Sequence, residues 1–257
     1  MEITVEHVEF YLLILVRISG FIFTAPLFSI GSIPIQVKAA ISVFLTMIVG
    51  TVIPYETVAY ESVIGLAGLV MMEFLVGILI GFVANICTKI ITFAGQLLDT
   101  EIGFSMANIF DPVNGEQVTI SGNLLYYLVM LVLLASNLHY YLIRAILSTF
   151  TLVPIGKAVF SGKLYGILLK FIVDFFVIGF RIVLPVFSAI LIVNMVLAVL
   201  AKVSPQMNMF VVGFQLKILI GLCVLIILAT MLPSIGDFIV TEMKTMMELM
   251  IKSLAGS

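Results

Sequence analysis

Between Gly95 and Gly122 the chain reads GQLLDTEIGFSMANIFDPVNGEQVTISG. Gly95, Gly103, Gly115 and Gly122, one proline, two asparagines and four acids (Asp99, Glu101, Asp111, Glu116) lie between long apolar runs. No Lys or Arg occurs between Lys89 and Arg144. Connections of this length are uncommon unless they are functional or disordered. Irregular backbone survives at membrane depth only inside protein or beside a water-filled cavity. The stretch is therefore expected to be a loop in or near an aqueous path, with the rest of the chain holding it there.

The flanking sequence is built for lipid. Of 257 residues, 63% are hydrophobic and 10% charged, and the mean hydropathy is +1.32. A soluble domain carries about 25% charged residues. The chain reads as an all-α, polytopic helical membrane protein, with residues 1–257 forming a single domain because no polar linker separates two apolar blocks. The net charge of -2 points away from nucleic acid. Glu2, Glu6 and Glu9 precede the first basic residue, Arg17, which is the wrong start for a cleaved signal peptide. Cys87 and Cys223 fall within apolar runs and read as reduced packing residues.

Six apolar runs stand out: Phe10–Phe28, Val37–Ile53, Val63–Ile91, Leu124–Phe150, Leu164–Ala201 and Met209–Leu232. The fifth is too long for one ordinary span, since at about 1.5 Å per residue it exceeds about 30 Å of hydrocarbon. Pro185 removes the helical donor for the carbonyl of Arg181, so a kinked helix or a helical hairpin is expected there. Charge does not settle topology. Lys38 against Glu56 and Glu61 sets one orientation, and Arg144, Lys157, Lys163 and Lys170 contradict it under six plain crossings. A re-entrant run, or protein standing outside the bilayer, would remove the conflict. After Pro233, Ile239, Met243, Met246 and Met250 recur at helical spacing opposite Lys244, Glu248 and Lys252. Residues 233–257 thus read as an amphipathic helix, either on the membrane surface or offering a methionine face to a partner.

Arg17, Glu73, Asp174, Arg181 and Lys217 lie inside apolar runs, where each costs about 2.5–3.5 kcal/mol at a helix centre. Arg17 and Glu73 lack a local partner. They form an interhelical pair or are left for other subunits to cover, which would make the isolated chain unstable. Loss of an interhelical pair costs as little as ~0.6 kcal/mol. Glu73→Ala is thus expected to be milder than Gly77→Leu. Glu73, Gly77 and Gly81 share a stripe, and the two glycines let backbones approach closely. Enzyme chemistry has little support: there is no HExxH, GxSxG or phosphate-binding glycine loop, and His7 and His139 stand alone. No cofactor is implied. A small-solute secondary transporter is the alternative reading, although the two halves show no matching pair of interrupted helices.

Three groups of residues in register carry a resemblance. The first is Arg17-Ile18-Ser19-Gly20, Ala25-Pro26-Leu27-Phe28, Ile33-Pro34 and Val37-Lys38. The second is Gly95-Gln96-Leu97-Leu98-Asp99, Gly103-Phe104-Ser105-Met106-Ala107 and Asp111-Pro112. The third runs from Ser204-Pro205-Gln206-Met207-Asn208 to Gly213-Phe214. Together they resemble the FliR family of flagellar type III protein export and its virulence-secretion relatives, with wording closer to the flagellar branch. Gln215 stands where the family usually has proline, Lys202 where it has arginine and Leu138 where it has glycine.

The resemblance implies a non-enzymatic subunit of an export gate in the bacterial inner membrane, at the flagellar basal body. FliP-like, FliQ-like and FlhB-like membrane proteins would be its partners, with membrane lipid around them and unfolded substrates passing through. The central loop would project into the lumen and plug it through Met106, Ile109, Phe110, Asp111, Pro112, Val113, Asn114 and Gly115. Helix packing and subunit contact would fall to Arg17, Pro26, Glu73, Gly77, Gly81, Gln96, Asp99, Arg181, Pro185, Pro205, Gln206 and Asn208. Much of such a complex stands above the bilayer, which would resolve the charge conflict.

Overall fold

A computed structural model describes residues 5–55, 58, 60, 62–105 and 119–256. Among these the chain is helical, with no strand. Seven helices follow in order: α1 (Val5–Thr24), α2 (Ile35–Val52), α3 (Val63–Ile102), α4 (Ile120–Ala135), α5 (Leu138–Leu152), α6 (Gly162–Val203) and α7 (Met209–Leu254). The chain is a polytopic helical membrane protein: α1, α2, α3, α6 and α7 are each long and apolar enough to cross a bilayer. The broken pair α4–α5 makes a sixth span if counted as one. With 40, 42 and 46 residues, α3, α6 and α7 each extend for about 60–70 Å, roughly twice the hydrocarbon thickness.

Several boundaries differ from those expected. The third apolar run ends near Ile91, but its helix continues to Ile102 because Thr92–Ile102 contains no proline and only one glycine. Gly103, at φ +99°, stops it. Much of the Gly95–Gly122 stretch is thus helical at both ends. The fourth run breaks at Asn137, which adopts φ 58° in the left-handed region that asparagine tolerates. α6 passes through Pro185 as a single helix, so the hairpin alternative falls. α7 likewise passes through Pro233 and joins the sixth run to the tail. A proline removes one ladder bond, and the apolar turns on both sides continue the helix.

The helices form two compact units. The first comprises residues 1–87, 137–172 and 241–257. Its central element is α1, whose Phe10, Leu13, Ile14, Ile18, Phe21 and Ile22 are buried at helical spacing. α1 and α3 touch backbone to backbone. A Cβ on Gly77 would stand 2.1 Å from the carbonyl oxygen of Arg17, and one on Gly20 would stand 2.7 Å from that of Phe74. α2 buries only Ser42, Thr46 and Val49. Both hydroxyls satisfy themselves on the carbonyls four residues back. In the linker before α3, Tyr60 donates to Glu9, and that bond followed by desolvation raises the phenol pKa. Met243, Met246, Met247, Met250 and Leu254 of α7 are buried inside this unit. The methionine face is therefore core, and neither of the roles expected for it, at a lipid surface or on a partner, is available to it. Lys244, Glu248 and Lys252 point outward, and Lys244 lies 5.1 Å from the Tyr141 ring centroid.

The second unit comprises residues 88–136 and 173–240. Small residues set its close contacts. Gly179 of α6 seats the Phe93 ring, which also meets Phe175, Phe176 and Phe180. Gly221 of α7 seats Ile102, and Gly236 seats Val132 of α4. Along α6, Phe176, Phe180, Leu184, Phe187, Leu191 and Met195 remain exposed on one stripe. Such a stripe needs lipid or protein over it. Cys223 is exposed, whereas Cys87 is buried.

Gly77→Leu should prevent α1 and α3 from docking, because its side chain would replace a backbone contact. Gly68→Leu, on the same helix with open space around it, should be tolerated. Folded yield from membranes, read by thermal unfolding in mild detergent, separates the two; equal yields would reject the close crossing.

Candidate functional site

The end of α3 and the start of α4 are built together. Gly103 ends α3, and its N–H bonds the carbonyl of Asp99 at 3.0 Å. Thr119 precedes α4 with extended backbone but makes no side-chain cap. The cap comes instead from α3: both carboxylate oxygens of Asp99 accept from the Ser121 N–H, at 3.1 and 3.2 Å. A carboxylate there satisfies an orphan amide and favours the positive end of the helix dipole. One turn earlier, α3 and α4 meet at two glycines. A Cβ on Gly95 would fall 2.1 Å from the Cα of Gly122. The end of α3 and the start of α4 are thereby pinned together in the second unit. Asp99 and Ser121 are buried, and the Ser121 hydroxyl has no hydrogen-bond partner among the described residues.

A second constellation lies in the first unit. Arg17 Nε donates to Glu73 Oε2, and both side chains are 0% exposed. Arg17 Nη1 donates to the carbonyls of Val153 at 2.9 Å and Thr149 at 3.2 Å, and to Thr149 Oγ1 at 3.4 Å. These are carbonyls at the C-terminus of α5, where a cation also complements the dipole. Arg17 Cζ lies 4.4 Å from the centroid of the Phe150 ring. Glu73 Oε1 accepts from the Gly156 N–H at 2.8 Å, in a turn that Gly156 makes at φ +75°. One ion pair therefore binds α1, α3, the end of α5 and the turn after it.

The structure thus brings Arg17, Glu73, Gly77 and Gly81 together in the first unit. The expectation that Arg17 and Glu73 need other subunits to cover them is corrected: they are fully enclosed by their own chain. The expected low cost of Glu73→Ala is corrected for the same reason, since it would leave a buried guanidinium uncompensated. Pro26 is buried in the turn after α1. Gln96, Arg181, Pro185, Pro205, Gln206 and Asn208 are exposed. Asn208 precedes α7, and its Oδ1 accepts from the Val211 N–H at 3.5 Å. Met106, Ile109, Phe110, Asp111, Pro112, Val113, Asn114 and Gly115 lie outside the described residues.

Sequence reasoning missed Ser121, Thr149, Val153 and Gly156. All four act through backbone atoms, which leave no side-chain signature; only Thr149 adds a side-chain oxygen. The one signal lay on the acceptor: Asp99, an acid one turn before the helix-ending Gly103.

A family model for bacterial export proteins, family 1, matches residues 8–243. The chain is 30% identical over 222 residues to the flagellar biosynthetic protein FliR of Bacillus subtilis (strain 168), covering 84% of this chain and 85% of that one. It is 27% identical over 242 residues to FliR of Pectobacterium carotovorum subsp. carotovorum, covering 94% and 92%. For FliR of Escherichia coli (strain K12), identity is 27% over 224 residues, covering 87% and 84%.

Two outcomes follow from the geometry. Glu73→Ala should destabilise the chain by about 3–5 kcal/mol, and Arg17→Met with Glu73→Met should lose less than Glu73→Ala alone. A double-mutant cycle on thermal unfolding measures this, and additive losses would remove the pairing. Asp99→Ala should cost about 1 kcal/mol of local stability at the start of α4, and Asp99→Asn less. Hydrogen exchange at Ser121–Asn123 should therefore speed up about fivefold in the alanine variant; unchanged exchange would show that the cap is idle.

Proposed function

The chain belongs to the FliR family of bacterial export proteins and is a membrane-embedded component of the flagellar export apparatus; from that premise we propose that it is a non-enzymatic subunit of the export gate in the bacterial inner membrane. The family match over residues 8–243 carries this reading. FliP-like, FliQ-like and FlhB-like subunits complete the channel, and unfolded flagellar proteins pass through it. Two features of the chain support a subunit role. Helices about twice the bilayer thickness need protein or water beyond the hydrocarbon. The exposed apolar stripe of α6 offers a surface for neighbours or lipid.

The loop from Met106 to Gly115 acts as the plug. Phe110 and Val113 are apolar and close in sequence, while Asp111, Asn114 and Gly115 favour turns. An apolar tip in a narrow lumen expels water and so blocks ions, as hydrophobic constrictions do. Pinned stems keep the tip in place, and the glycines between them give the backbone freedom to move aside.

Deleting Phe110 to Gly115 should leave assembly intact and make the membrane permeable to ions and small solutes. The measurement is leakage in cells producing the full apparatus, with assembly checked by co-purification. A complete complex with normal impermeability would overturn the plug role.

A further inference from the structure

We propose that the second unit holds an anionic phospholipid, its phosphate on Arg181 and one acyl chain in the cleft between α6 and α7. The placement starts from charge. Ile182–Ala201 carries no charged residue and is bounded by Arg181 and Lys202. At 1.5 Å per residue it covers about 30 Å, the thickness of the hydrocarbon. On α7, Ile218–Gly236 is likewise free of charge and is bounded by Lys217 and Asp237. Arg181 therefore stands where a span of α6 meets the headgroups.

Among the described residues, Arg181 has no ion-pair or hydrogen-bond partner. It is exposed, unlike Arg17, which is fully enclosed. A guanidinium held in an apolar helix is costly without a counter-charge. Its planar fork fits a phosphate in two parallel hydrogen bonds. Beside it lies a cleft of about 400 Å³. Ile178, Ile182, Pro185, Leu228, Ile235 and Phe238 make its lining apolar, and Ser234 adds a single hydroxyl. Asp237, the acid next to it on α7, does not line the cleft. A cation at the rim of an apolar cleft, at the end of a charge-free span, matches an amphiphile with an anionic head. A carboxylate from another protein would use the cation and leave the cleft unfilled.

The test uses the full chain, extracted from membranes in mild detergent with whatever membrane proteins accompany it. Native mass spectrometry follows retention of added phosphatidylglycerol and of phosphatidylcholine with the same acyl chains. Phosphatidylglycerol should be retained in preference. Arg181→Gln should reduce that retention about fivefold, Arg181→Lys should reduce it less, and Ile182→Trp, which fills the cleft, should reduce both lipids. Equal retention of the two lipids by the unaltered chain would overturn the site, whether or not the variants fold. So would unchanged retention in Arg181→Gln, or loss of a co-purifying protein from that variant with lipid unaffected. These readouts do not depend on export, so they are separate from the test of the gate.

Discussion

A fully buried guanidinium is the constraint on which the first unit depends. Arg17 sits midway along α1, in a core of Leu13, Ile14, Ile18 and Phe21. Every contact that satisfies it comes from a different part of the chain: Glu73 from α3, and Thr149 and Val153 from the end of α5. An unpaired charge in such a place is far more costly than the pair is beneficial. The pair therefore acts mainly as a specifier. Arrangements in which α5 ends elsewhere, or in which α3 slides along α1, leave a charge without its partner. Gly77 and Gly81 make this possible, because only bare backbone lets Glu73 come near enough.

The second unit solves a different problem with the same means. Where α3 ends and α4 begins, the helix ends need fixing and the first amides of α4 need acceptors. The glycine contact between α3 and α4 fixes the ends, and Asp99 supplies the missing cap. The loop is thereby held at its stems by short-range contacts that need nothing from the residues between them.

Much of this was legible in the sequence, and the reasons are particular. Apolar runs long enough to cross a bilayer, with few charges, declared the fold class. The Gly77–Gly81 spacing and the lone charges at 17 and 73 pointed to a close helix pair. What failed was the reading of polarity as irregularity. Thr92–Ile102 carries acids and an amide but keeps helical backbone, so irregular structure was expected too early in the chain. Pro233 changes the composition around it without ending α7. The methionine stripe was recognised as a face, but sequence alone cannot say that the surface it meets belongs to the same chain. Gly156 and Val153 contribute backbone groups, and no residue type announces those.

The proposed gate role rests on the segment held between Asp99 and Ser121. Its most direct test is a photo-crosslinking residue in place of Phe110, in cells that assemble the whole export apparatus around a substrate arrested midway. Crosslinks between position 110 and the arrested substrate are expected, lost when the substrate is released. Crosslinks to lipid alone, in a complex that is complete and exporting, would contradict it.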